Sequence, residues 1–220
     1  MVKITRRLMP EADPDPRELP AYSLTEAARY LRMPEARLRS WVAGRSYPTT
    51  AGQRLFRPVI HLPEGGRPVL SFMNMVEAHV LDAIRRQENI PLRRVRTAVT
   101  ILERNCDSRH PLAQHQFAGE LAMREIVAAY LRRVERDVKG LPIRLYPFTR
   151  KREAEEPRAV VIDPFVAFGR PVLAGTGIAT AVLAEQFKAG ESVEELAKDY
   201  GRTALDIQEA LRFELPLEAA

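Results

Sequence analysis

Arginine recurs at 29, 32, 37, 39, 45, 54 and 57, and only Glu26 and Glu35 oppose those seven charges between Ser23 and Arg57. A guanidinium carries a fixed charge and a fork of donors. Such a cluster therefore suits a polyanion, neutralising phosphates or gripping guanine O6 and N7 with two parallel N–H groups. Other residues with chemical potential are sparse. Cys106, His110 and His115 lie close together, but their spacing matches no common zinc pattern and Pro111 implies an irregular loop. His61 and His79 read as packed or solvated side chains. The acids fall mainly on helix surfaces, with no apolar-flanked pair spaced for general acid and base work. The pattern is that of a binding protein, not an enzyme, and calls for no cofactor or metal.

The chain of 220 residues has a net charge of +5, with 45% hydrophobic and 29% charged residues, which fits one large globular domain or two small ones. Charge is unevenly spread. From Glu191 to Ala220 eight acids face three bases, so the two ends are expected to meet different partners. The single cysteine cannot close an intramolecular disulfide. No apolar run reaches the roughly 18 residues of a membrane span, and MVKITRRLMPEADPDPRELP lacks the apolar stretch of a signal peptide. A soluble, cytoplasmic protein is expected, without membrane attachment.

The elements that must position the arginines can be read from caps and periodicity. Pro10, Pro14, Pro16 and Pro20 make residues 1–20 a flexible arm. Ser23 and Glu26 have the spacing of a capping box and open a first helix with Ala27, Ala28 and Leu31 inward. A second helix runs from Pro34 to Val42, with Leu38 and Val42 inward, Arg37, Arg39 and Ser40 outward, and Gly44 as its stop. Short strands at 53–56, 59–62 and 68–72, around a turn at 63–66, predict a β-wing. Helices over 72–88 and 91–104 complete a domain spanning 21–105, the first with Phe72, Val76, Val80, Ala83 and Ile84 inward.

The middle segment, 106–148, reads as a strand near 114–117, a helix over 120–138 ended by Lys139-Gly140, and a strand over 143–146. TRKREAEEPR, residues 149–158, is a charged, flexible linker. Residues 159–220 form a C-terminal unit: a strand at 160–162, then helices over 180–189, 193–200 and 204–214, with Ser192 and Glu195 as a second capping box. Their inward sets are Leu183/Phe187, Val193/Leu196/Ala197/Tyr200 and Leu205/Leu211. Gly175-Thr176-Gly177 reads as a tight turn in preference to an anion-binding nest. The last two helices have a helix-turn-helix rhythm, but Asp206, Glu209 and Glu214 give the final one an acidic face that suits a basic protein or a dimer mate. The expected fold is mainly α with short β elements.

Residues 22–104 resemble the MerR-like winged helix-turn-helix family. The resemblance rests on the capped first helix, L-R-x-W at Leu38 to Trp41, G-x-R-x-aromatic at Gly52 to Phe56, and the following LSFMNMVEAHVLDAIRRQENIPLRRVRTAV. It implies DNA binding with Arg37 and Arg39 on the groove-facing helix, Trp41 and Tyr47 near the DNA backbone and Arg54 on the wing. Ser40, Arg45 and Arg57 join them as candidate contacts. Residues 158–214 are similar to a small antitoxin-associated domain with the pattern D-P-x(3–4)-G-x-P-x-x-x-G-T-x-I, carried here by Asp163, Pro164, Gly169, Pro171, Gly175, Thr176 and Ile178.

Together the two halves resemble full-length VapB-like antitoxins. That resemblance implies a type II antitoxin which binds double-stranded operator DNA, represses its own operon and neutralises a PIN-like ribonuclease toxin. The apolar surfaces of helices 72–88 and 120–138 suggest a homodimer on a two-fold operator. The alternative is a MerR-like transcriptional regulator that responds to a small-molecule ligand.

Overall fold

The computed structural model describes residues 14–50, 52–63, 68–88, 109–114, 125–150 and 156–215. Serine caps shape the N-terminal unit. Strand β1 (Tyr22–Ser23) leads into α1 (Leu24–Tyr30), where Ser23 and Glu26 satisfy each other's backbone N–H groups as a capping box. The helix ends in a Schellman motif: Met33 N–H reaches Ala28 O at 2.9 Å and Arg32 N–H reaches Arg29 O at 3.0 Å. Arg32 takes the left-handed position at φ 51°, where glycine is usual. Helix α2 (Glu35–Val42) follows, and Gly44 at φ 75° turns the chain away from it.

The wing is an antiparallel hairpin of β2 (Arg45–Thr49) and β3 (Gly52–Phe56). The expected strand at 59–62 does not form. Val59 and Ile60 N–H both turn to one acceptor, Trp41 O, at 2.8 and 3.1 Å, closing the end of α2 instead of extending a ladder. The chain returns as β4 (Val69–Leu70), which pairs with β1 and not with the wing.

Helix α3 (Phe72–Glu88) has the predicted limits but not the predicted amphipathicity. Every residue from Phe72 to Ile84 is buried, including Asn74, Glu77, His79 and Asp82, so this part of α3 is the axis of the core and its apolar residues offer no open face for a dimer. Around it pack α4 (Pro111–Gln114), α5 (Glu125–Arg132) and the hairpin of β5 (Val134–Arg136) with β6 (Pro142–Leu145). Here the expected helix over 120–138 is corrected: it stops at Arg132, Val134 becomes a buried strand residue, and Val138 lies fully exposed in the turn that Gly140 makes at φ 79°. Gln114 belongs to a helix, not a strand. The expected helix over 91–104, together with Cys106 and His115, lies outside the described residues.

Neither end of the expected linker is loose. Thr149 N–H and Arg150 N–H both donate to the Glu156 carboxylate, at 3.0 and 2.9 Å, and Thr149 is buried. Arg133, also buried, lies over Phe148 and donates to the carbonyls of Glu156 and Pro157. Across the same stretch Leu145 and Ile162 exchange two backbone hydrogen bonds, at 3.0 and 2.8 Å. Strand β7 (Val160–Val161) pairs with β8 (Val172–Leu173), and helices α6 (Thr180–Lys188), α7 (Val193–Asp199) and α8 (Ala204–Glu214) close a second core around Leu183, Leu196, Ile207 and Leu211. Phe187 and Leu205, expected inward, are exposed at 39% and 49%; Ile207 and Ala210 fill the core in their place.

The two cores meet along α1. Tyr30 stacks on Phe213 with ring centroids 5.7 Å apart, Arg29 pairs with Glu214, Arg32 donates to Arg212 O at 2.6 Å, and Arg170 pairs with Glu26 at 2.6 Å. The buried Tyr22 hydroxyl donates to Gly169 O at 2.9 Å. A Cβ on Gly169 would stand 2.3 Å from the Tyr22 hydroxyl oxygen, and Gly169 has φ +75°. Gly169→Ala is therefore expected to cost roughly 2–3 kcal/mol, with part of the loss recovered when Tyr22→Phe is added; denaturant unfolding of the single and double variants measures it.

The N-terminal arm is anchored from Asp15 onward. Arg17 pairs with Asp15 and Asp137 and its carbonyl accepts Met73 N–H, while Glu18 accepts from His110 at 2.8 Å. His110 Nδ1 lies 3.0 Å from the buried Glu77 carboxylate. Burial alone would lower the pKa of His110, but its hydrogen bonds to Glu18 and Glu77 raise it to about 9. A raised folded-state pKa gives stability that is fully present below the unfolded value near 6.5 and is lost as pH climbs through about 9. Unfolding midpoints should fall more between pH 6 and 10 for the native chain than for His110→Gln.

Candidate nucleic-acid interface

Helix α2 is held by its inner face and shows the other to solvent. Leu38, Trp41 and Val42 are buried, whereas Ala36, Arg37, Arg39 and Ala43 are exposed. Trp41 is 1% exposed, so the ring expected beside the DNA backbone is a core side chain. Its contribution to the surface is indirect, because its carbonyl fixes the segment that leaves the hairpin.

The exposed arginines are restrained to different degrees. Arg39 pairs with Glu35 one turn away on the same helix, and Glu35 also accepts from Thr25 Oγ1 at 2.8 Å. Those two hydrogen bonds, Thr25 first, hold the Glu35 carboxyl below its usual pKa. An exposed pair of this kind contributes little, so Arg39 can exchange Glu35 for a phosphate or a base at small cost. Ser40 Oγ donates to Arg37 O at 2.7 Å and stays on the helix surface.

Arg37 is tied more firmly. Its Nη1 lies 3.0 Å from Oδ1 of Asp82 on α3, a carboxylate that is 3% exposed, while the Arg37 side chain itself is 41% exposed. The arginine is thus pinned at the junction of α2 and α3 and does not swing freely toward a groove. The same carboxylate receives Arg86 Nε at 2.8 Å and the Tyr130 hydroxyl at 3.4 Å. Burial pulls the Arg86 pKa down, but the hydrogen bond to Asp82 and the charge of that carboxylate together outweigh it.

On the hairpin, Arg45 opens β2 opposite Phe56, and Tyr47 stands opposite Arg54 in the register. Arg45 and Arg57 are exposed, as is Leu55 at 64%. Of the eight expected contacts, then, Arg37, Arg39, Ser40, Arg45 and Arg57 reach the surface of one helix and its adjoining hairpin, Tyr47 and Arg54 share one hairpin rung, and Trp41 does not reach the surface. The residues that sequence reasoning missed are Asp82 and Arg86. Their i, i+4 spacing was a readable ion-pair signal, but the partnership with Arg37, 45 residues away, has no local signature.

The expected acidic face at the far end is also corrected. Glu209 is 0% exposed and accepts from Thr149, Arg150 and Arg212, and Glu214 accepts from Arg29 and Thr180. Two of the three acids read as a docking surface are internal partners of arginine. The glycine turn is structural, as expected: Thr176 Oγ1 donates to Leu173 O at 2.8 Å and accepts Ile178 N–H at 3.0 Å. Among the described residues no group of three His, Cys, Asp or Glu side chains is arranged to hold a metal, and no helix is long and apolar enough to cross a membrane.

Comparison with known proteins matches the two halves separately. The family described as "Putative DNA-binding HTH domain" matches residues 20–99, and the family described as "Protein of unknown function (DUF433)" matches residues 160–213. The chain is 28% identical to a Mycobacterium tuberculosis protein named "Putative antitoxin VapB45", over 88% of this chain and 93% of that one. It is 24% identical to "Uncharacterized protein Rv2308" of the same organism, over 87% of this chain and 89% of the relative. The crystal structure of Rv2018 from Mycobacterium tuberculosis superposes with a TM-score of 0.68 at 27% identity, covering 88% of this chain and 98% of that one. The resemblance to VapB-like antitoxins thus extends over nearly the whole chain.

The division between surface and core on α2 is directly measurable. Arg39→Ala should change stability by no more than about 0.5 kcal/mol, whereas Trp41→Ala should cost roughly 3–5 kcal/mol; chemical denaturation that finds the two equal would contradict the placement.

Proposed function

We propose that this chain is the antitoxin of a type II toxin–antitoxin pair: its helix-turn-helix and wing bind double-stranded operator DNA and repress its operon, and the protein neutralises a PIN-like ribonuclease toxin in the cytoplasm. The observation that carries the DNA half is the basic surface of α2 and the hairpin, where Arg39 is exposed on the helix pair and Arg45 and Arg57 are exposed where the chain enters and leaves the adjoining hairpin. Phosphate neutralisation by such side chains supplies affinity before any base is read. Arg39 and Ser40 are the side chains of α2 best placed for base edges, while Arg37, pinned by Asp82, serves the flank of the groove. Tyr47 and Arg54 are assigned to the wing contact by their shared rung.

The toxin half is supported by the relative named an antitoxin and by the DUF433 match over the C-terminal unit. A homodimer would place two reading heads on a two-fold operator. With the apolar residues of α3 from Phe72 to Ile84 buried in each subunit, we assign the dimer contact to another surface.

Gel-shift titrations with the DNA upstream of the gene test the first half. Arg45→Ala and Arg57→Ala should weaken binding alike on operator and unrelated DNA and each reduce the salt slope by about 1, whereas Arg39→Ala should reduce the preference for operator. Co-expression with the adjacent open reading frame tests the second: a PIN-type product should co-purify and lose its ribonuclease activity, and failure of the pair to associate would remove the antitoxin role.

A further inference from the structure

Two guanidinium groups from different helices converge on one hidden acid. Asp82 Oδ1 accepts from Arg37 of α2 at 3.0 Å and Oδ2 accepts from Arg86 of α3 at 2.8 Å. The acid is 3% exposed; the two arginine side chains are 41% and 40% exposed. The negative charge therefore lies beneath the surface and the positive charges lie on it. Each arginine spends only part of its fork on Asp82: Arg37 uses Nη1 and Arg86 uses Nε, which leaves Arg37 Nη2 and both terminal nitrogens of Arg86 as further donors. Because the two donors sit on the two oxygens of one carboxylate, both guanidinium groups are gathered beside the same buried charge.

We propose that Arg37 and Arg86 form a preformed clamp for one phosphate of the DNA backbone, and that Asp82 is the positioning residue that sets it. The proposal rests on the DNA-binding reading above and extends the interface from the helix-turn-helix and wing to the C-terminal turns of α3. The chemistry selects a phosphodiester over a base edge. Two converging forks suit an anion with several oxygens, and an arginine fixed at the flank of α2 lacks the reach of a free one. Ordering long side chains before the ligand arrives removes an entropic cost from binding. Tyr130, whose hydroxyl also points at Oδ2, steadies the acid from α5.

A simple field argument and a positioning role make opposite predictions for Asp82. Removing an acid near DNA should strengthen binding if only its charge matters. If Asp82 sets the clamp, Asp82→Asn should weaken binding instead. The experiment is a salt-dependent titration of the full-length protein with operator and with unrelated duplex DNA.

Arg86→Ala is expected to lower affinity roughly 5- to 10-fold on both DNAs and to reduce the salt slope by about 1. Arg37→Lys should lose nearly as much although the charge is kept, and Asp82→Asn should weaken binding with a small further loss when combined with Arg86→Ala. Unchanged affinity for Arg86→Ala, or tighter binding by folded Asp82→Asn, would overturn the clamp. Should Asp82→Asn fail to fold, the exposed Arg86→Ala decides alone. If Arg39→Ala and Arg45→Ala weaken binding but Arg86→Ala does not, the DNA reading stands and the clamp falls; if the native protein binds no DNA, both fall.

Discussion

A helix enclosed along most of its length cannot leave the polar side chains there to water, and α3 carries several of them between Phe72 and Ile84. An unpaired buried carboxylate or amide is costly, so each must find a partner from the chain that wraps around it. Ser71 and Asn74 cap the start of the helix reciprocally, and Asn74 Nδ2 also donates to His61 O at 2.9 Å, securing the chain as it leaves the hairpin. Glu77 takes His110, through which Glu18 is drawn in. His79 Nε2 lies 3.0 Å from Tyr130 O, and its ring stacks with Phe148. Asp82 takes Arg37 and Arg86. One buried helix thus fixes the position of the N-terminal segment, α2, α4 and α5. Hydrophobic packing alone would tolerate small slides between these elements, because apolar contact is not directional; hydrogen bonds to α3 do not.

The chain uses one local design twice. Ser23 and Ser192 each open a seven-residue helix with a capping box, and each helix ends in a Schellman turn, through Arg32 in the first and Gly201 in the second. The second helix of each pair buries the same three positions: Leu38, Trp41 and Val42 in α2, and Ile207, Ala210 and Leu211 in α8. What differs is the outward chemistry. Where α2 has Arg37, Arg39 and Ser40, α8 has Asp206, Gln208 and Glu209. The first unit presents cations to solvent. The second turns Glu209 inward to hold Thr149 and Arg150, and so joins the last helix to the segment that follows β6.

Local signals were legible because they are encoded within a few residues. The capping boxes at Ser23 and Ser192, the limits of α3 and α8 and the stop at Gly44 follow from spacings of three or four positions. The turn to strand after Arg132 was not legible, because valine at 134 and 138 continues a helical period that also fits a strand alternating across a turn. Burial on α8 was misjudged for a related reason. Size favours Leu205 and Leu211, yet the packing surface is set by Ile207, Ala210 and Leu211, and the glutamate between them is paired both with Arg212 one turn on and with the distant Arg150. At the interface, composition identified the cations but not their restraint. Nothing local to Arg37 announces Asp82.

The seam along α1 explains why the two halves share one structure despite having separate cores. Tyr22, Tyr30 and Leu31 are buried, and their cover comes partly from Gly169 and Phe213 of the C-terminal unit. The ion pairs at the seam place an exposed arginine over a better-shielded acid: Arg29 is 44% exposed against 8% for Glu214, and Arg170 is 56% exposed against 32% for Glu26. Such pairs contribute little as isolated surface contacts, but here they flank a stacked aromatic pair and a buried tyrosine hydroxyl bond, which supply the apolar contact and the direction. The first helix of the N-terminal helix pair is therefore held from outside by α8 and from below by the core around α3. Its orientation is a property of the whole molecule, and the C-terminal unit is part of what builds the surface that carries Arg39 and Arg45.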